Sequence, residues 1–156
     1  MNDIEKFQFK LELILNLKSA EDIQNWATKR IEQNITDLEA LDICFFPKEK
    51  QVLDYFNNIK FEWLNLSSTL KKNTFRDVLR KYIETPPSIE YSEELIISIF
   101  RMLRELSKIA EDEDLYNLID HHDDELYLIL DGIYNSAPQD VWPAFLEDLR
   151  HLLCMK

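Results

Sequence analysis

Gly132 is the only glycine in a chain of 156 residues. Hairpins, phosphate-binding loops and dinucleotide-binding turns need glycine for positive φ or for close backbone approach. A chain almost without it is expected to avoid a β-rich fold, a P-loop and a dinucleotide-binding fold. Helices joined by Asn, Ser, Asp and Pro turns have no such requirement. The sequence therefore predicts an all-α fold, a single domain over residues 1–156, built as a bundle or a HEAT-like stack of about eight helices. Nine Phe, six Tyr and three Trp supply a core. A chain this long buries roughly 70% of its unfolded surface and needs neither disulfide nor metal to fold.

Apolar spacing sets out the elements. Phe7, Phe9, Leu11, Leu13, Leu15 and Leu17 alternate as in a strand, whereas Ile4, Phe7, Leu11, Ile14 and Leu15 fit a helix. Gln, Lys and Glu fillers and the prevalence of leucine favour the helix. Ser19 is placed to cap a second helix reaching about Gln33, with Ile23, Trp26, Ala27 and Ile31 on one side. Thr36, with Glu39 three residues on, reads as a capping box before a short helix carrying Leu38, Leu41 and Cys44 inward. Pro47 suits the first turn of a helix carrying Val52, Leu53, Phe56 and Ile59. Ile59, Phe61 and Trp63 alternate, so over 59–66 both a helix and a short strand pairing with the N-terminus stay open. Phe75, Val78, Leu79 and Tyr82 mark the next helix, and Pro86-Pro87 a turn within the domain. Ser92 caps a long helix with Leu95, Ile96, Ile99, Leu103, Leu106 and Ala110 inside, and Arg101 with Glu105 as a surface pair. A last helix carries Val141, Phe145, Leu149, Leu152 and Leu153, with Pro143 in its first turn.

Charge divides the chain. Residues 1–82 hold 13 acids and 13 bases, whereas residues 83–156 hold 17 acids and 5 bases and so carry the whole net charge of −12. Such a field disfavours nucleic acid, whose binding rests on cationic contacts with phosphate. It favours steered encounter with a cationic protein. The one basic region, Lys60, Lys71, Lys72, Arg76, Arg80 and Lys81, reads as a solvated helix face rather than a phosphate site. Cys44 and Cys154 form no CxxC or CxxH pattern and read as buried free thiols. No signal-peptide core opens the chain, and the longest apolar run, Leu126–Leu130, is too short for a bilayer, so a cytoplasmic, reducing location is expected with no membrane partner.

The most acidic stretch, residues 111–134, also holds three of the six tyrosines. His121, His122, Asp123, Asp124 and Glu125 invite a metal reading. Adjacent helical residues point about 100° apart, however, so the two imidazoles do not chelate one ion, and neither Glu-x-x-His nor His-Glu-x-x-His is present. His122 falls on the apolar stripe of Leu115, Leu118, Ile119, Leu126, Ile129, Leu130 and Ile133, as a half-buried core histidine. No nucleophile elbow or Cys–His pair supports catalysis, so neither an enzyme nor a cofactor is expected. At 100° per residue, Tyr116, Asp120, Asp123, Tyr127, Asp131 and Tyr134 share a sector roughly 80° wide beside that stripe, with Asp124 adjoining it. Tyrosine is a frequent interface hot spot and carboxylates accept bidentate arginine, so these seven residues are the candidate partner-binding site.

In size, acidity, helical content and the segments Ile23-Gln24-Asn25-Trp26-Ala27 and Asp37-Leu38-Glu39-Ala40-Leu41, the chain resembles the helical immunity proteins of bacterial contact-dependent inhibition and related toxin systems. The resemblance implies a stoichiometric inhibitor of a cognate toxin domain, often a basic nuclease. A helical adaptor with a regulatory partner, or a metal-dependent helical enzyme using His121, Asp124 or Glu125, are the alternative readings.

Overall fold

The computed structural model describes residues 1–84 and 92–155. Among them are eight α-helices and no strand, as the glycine count predicts. The helices are α1 (Asp3–Ile14), α2 (Ala20–Gln33), α3 (Leu38–Phe45), α4 (Glu49–Asn58), α5 (Ser68–Glu84), α6 (Glu93–Ile109), α7 (Glu113–Leu130) and α8 (Val141–Leu152). Pro86-Pro87 lies outside the described residues. The chain forms two compact units, Met1–Val78 and Leu79–Lys156. Among the described residues no helix is long and apolar enough to cross a membrane.

In the first unit, α1 is a helix because Asn2 and Glu5 close a capping box and its core residues come from two sides. Phe7 meets the Phe61 ring edge-on, and Phe9 meets Trp26 and Phe56. Phe7 and Phe9 lie about 200° apart around the axis. Burial on both sides is what made the sequence alternate like a strand. Ser19 caps α2 as expected, with Asp22 completing the box. The cap of α3 is Asp37, one residue after the expected Thr36. Its carboxylate accepts from the Ala40 N–H at 3.1 Å, from the Met1 α-amino group at 2.7 Å and from Arg30 Nε at 3.3 Å. Burial works against that charge, but these donors outweigh it and hold the carboxyl below its ordinary range.

Moving the cap by one residue goes with a rotated α3. Ala40 and Ile43 are buried, while Leu38 is 70% and Phe45 74% exposed, so Leu38 does not take the place expected of it, whereas Leu41 and Cys44 are half-buried. Ala40 and Ile43 join the core with Ile23 and Ala27 of α2, and Leu38 and Phe45 are left outside. Pro47 precedes the α4 cap, Lys48, instead of lying in the first turn. Within α4, Val52 and Phe56 are buried, whereas Leu53 is exposed. Residues 61–63 form a 3-10 turn rather than a strand: the Lys10 ammonium donates to the Ile59 carbonyl, and Trp63 lies in solvent under Lys60.

In the second unit, α6, α7 and α8 pack in succession around Phe100, Trp142 and Phe145. Ser92 caps α6, but Leu95 is exposed, not inside. Pro143 lies in the first turn of α8, where its missing N–H leaves no helical bond unmade. Four helices end in one pattern. Asn16, Glu111, Gly132 and Cys154 have φ of 55°, 56°, 73° and 56°. In each case the residue after them donates back to the carbonyl three positions before the cap, as Ile133 does to Leu128 at 2.9 Å. Cys154 is accordingly an exposed helix stop and not the buried thiol expected of it.

Candidate functional site

A two-residue step, Ala110 to Glu111, turns α6 back so that α6 and α7 form an αα-hairpin. Asp112 caps α7, and Glu113 and Asp114 occupy its first turn, where the helix dipole favours acids. The helix ends at Leu130, with Asp131 as its cap and Gly132 turning the chain away. The segment 111–134 is therefore not one continuous helix. Tyr116, Asp120, Asp123 and Tyr127 keep the predicted face, and Asp131 continues it as the cap. Tyr134 lies beyond the left-handed turn and leaves it.

The structure divides the seven candidates along the hairpin. Tyr116 is half-buried near the α6–α7 turn, its ring under the Lys108 ammonium at 5.5 Å. Eleven residues separate it from Tyr127, roughly 16 Å of helix. Asp120 and Asp123 face α6, where Arg104 donates from Nη1 to Asp120 and from Nη2 to Asp123, both at 3.0 Å. Burial opposes the guanidinium charge, but the two carboxylates outweigh it and raise Arg104 above its ordinary value. The bidentate arginine that this face invites is thus already supplied from within the chain. Glu105 pairs with Lys108 at 3.2 Å.

Arg104 does not neutralise the face. Burial, aided by the nearby Asp124 and Asp120 charges, pushes the Asp123 carboxyl up despite the guanidinium beside it. Farther along, Asp124 and Tyr127 are exposed and, with Asp123, Ile97, Leu126 and Leu130, line a cavity of about 250 Å³. The Asp131 carboxylate beside the Tyr127 hydroxyl pushes the phenol up. Tyr127 and Ile133 are each 63% exposed and Tyr134 51%. One end of the hairpin therefore gathers exposed aromatic and apolar area around carboxylates.

This end is unfavourable for the chain itself. The last turn of α7 holds no base, and an acid, Asp131, caps it where the helix dipole disfavours negative charge. Asp131→Asn is expected to stabilise the protein by about 0.3–1 kcal/mol at low ionic strength, fading as salt rises. Thermal unfolding at two salt concentrations measures this, and a loss of stability would show that Asp131 serves the fold.

His122 is more buried than expected, at 2% exposure. Its Nε2 lies 2.9 Å from Asp148 Oδ2 on α8, and because a carboxylate only accepts, Nε2 carries the proton. Nδ1 lies 3.6 Å from Glu125 Oε2 without a hydrogen bond, and the ring meets Phe145 edge-on. His122 thus joins α7 to α8, a role whose partner, Asp148, periodicity within α7 does not reveal. Among the described residues no group of three or more His, Cys, Asp or Glu side chains is arranged to hold a metal.

Arg104 is the functional neighbour that sequence reasoning missed. A short turn between α6 and α7 pairs residues roughly equidistant from it, and Arg104 and Asp120 stand seven and nine residues from Glu111. That count was the available signal. No known protein family, curated protein or solved structure matches the chain.

Proposed function

We propose that this chain is an immunity protein, a stoichiometric inhibitor that binds a basic toxin domain through the Asp124–Tyr127–Asp131 end of the α6–α7 hairpin. One observation carries the reading. Carboxylates are concentrated where they oppose the chain's own stability, beside exposed Tyr127, Ile133 and Tyr134. Local violations of helix electrostatics are expected where a surface serves something other than folding. A cationic partner supplies the missing charge, and the aromatic side chains supply contact area at low entropy cost. The electrostatic contribution lies mainly in association rate and in exclusion of wrong partners. Asp120 and Asp123, already engaged by Arg104, act behind this surface rather than at its centre.

The test is capture from the source organism followed by a growth assay. The expected partner is a basic protein, toxic when expressed alone and harmless when co-expressed with this chain. Its association rate should fall at least about tenfold between 50 and 500 mM salt, through screening of the charged face. A captured partner that is non-toxic, or whose association ignores salt, contradicts the proposal.

A second reading, a helical adaptor, is favoured by the outer face of α3, where Leu38 and Phe45 are exposed, and by exposed Ile35 in the turn before it. In that case Phe45→Ser abolishes capture and Asp124→Ala leaves it intact.

A further inference from the structure

We propose that the cavity between Ile97 of α6 and Asp123–Leu130 of α7 is a socket for one arginine side chain of the basic partner. The inference rests on the reading of this face as a docking surface and names what enters it. Its size speaks first. At about 250 Å³ it lies below the ~300–1,000 Å³ typical of small-molecule sites, which suits a single side chain better than a cofactor.

Its lining selects the chemistry. Ile97, Leu126 and Leu130 contribute aliphatic surface to the lining, and Asp123, Asp124 and Tyr127 contribute two carboxylates and an aromatic ring. A purely apolar side chain would strip water from the two carboxylates without replacing it, which is unfavourable. An acidic one is repelled. A long cationic side chain satisfies both parts, its alkyl stem against the aliphatic surface and its charge among the carboxylates. Arginine fits better than lysine because its planar fork engages carboxylates in pairs and stacks on an aromatic ring, whereas an ammonium acts as a compact, strongly hydrated point charge.

The surroundings leave room for a second cation. Arg104 is the only base paired with the Asp120, Asp123 and Asp124 group among the described residues, and it engages the first two. Asp123 is held on its Oδ2 side by Arg104 and still lines the cavity. Burial, with smaller contributions from the Asp124 and Asp120 charges, holds its carboxyl above the ordinary range despite Arg104. Asp131 stands close enough to Tyr127 to push its phenol up, which adds a further carboxylate beside the ring that an incoming guanidinium would meet.

The experiment needs no toxin. The full chain, labelled at Ile and Leu methyls and Tyr rings, is titrated with Nα-acetyl-arginine amide, with the lysine analogue and with neutral, isosteric citrulline amide. Saturable shifts are expected at Ile97, Leu126, Leu130 and Tyr127, with arginine at least about fivefold tighter than lysine and citrulline weaker still. Asp124→Asn, an exposed change that leaves the fold intact, should weaken arginine at least about threefold. Shifts that stay linear, that match for arginine and lysine, or that spread along the acidic face overturn the socket. If the titration fails while a toxin is still captured, the docking face stands without it. If capture fails while the titration succeeds, the socket stands and the toxin reading falls.

Discussion

Replacing Phe145 by alanine is expected to remove about 3–5 kcal/mol of stability, among the larger effects a single core change produces. Phe145 is wholly buried and stands where three helices meet. Its ring contacts Phe100 of α6 at 5.0 Å, His122 of α7 at 5.5 Å and Trp142 of its own helix at 5.5 Å, all between centroids. Truncation loses the transfer free energy of the ring and leaves a void bounded by other rigid rings, which relax little. Domains of this kind have only about 5–15 kcal/mol in hand, so the variant sits close to unfolding. Urea denaturation should show a lower midpoint with an unchanged slope, and Phe145→Leu, closer in volume, should retain most of the stability. A loss under about 1 kcal/mol for the alanine variant would mean that this aromatic cluster is not what holds α6, α7 and α8 together.

Tyr127→Ala is the matching experiment on recognition. The side chain is exposed and contributes little to the core. The free protein should therefore unfold as the parent does. Affinity for the captured toxin should fall about thirtyfold or more, as for a tyrosine anchor at the centre of an interface, with most of the change in dissociation rate. Calorimetry and stopped-flow measurements on the same pair separate the two rates. An affinity within about threefold of the parent would place the contact elsewhere on the acidic half.

The same two residues show how much of the molecule was legible in the sequence. Phe145 lay on a clean helical stripe, and its burial followed from spacing alone. Tyr127, Asp123 and Asp120 were phased correctly because they fall inside one helix. Tyr134 was misplaced because Gly132 stops that helix, and the one glycine in the chain marks the stop. Three similar stops use Asn16, Glu111 and Cys154, for which a left-handed conformation costs more than for glycine and is correspondingly harder to foresee. Alternation misled at α1, where burial on both sides imitates a strand. At α3, apolarity misled: Ala40 and Ile43 took the inner face and Leu38 and Phe45 were left outside, because apolar residues lie on both sides of this short helix and their spacing does not say which side is buried. Arg104 with Asp120 and His122 with Asp148 are contacts between helices. Periodicity describes one helix at a time and carries no information about its neighbour's register.

The pairing of Arg104 with Asp120 and Asp123 has a consequence for how such a surface changes over generations. The clasp that joins α6 to α7 draws on the middle of the helix, whereas Asp124, Tyr127 and Asp131 stand outside it, toward the helix end. If the face binds a partner as proposed, substitutions at these outer positions alter what it recognises and leave the Arg104 clasp in place. Under the proposed function, specificity and the joint between α6 and α7 are thus assigned to different residues, so that one can vary while the other is kept.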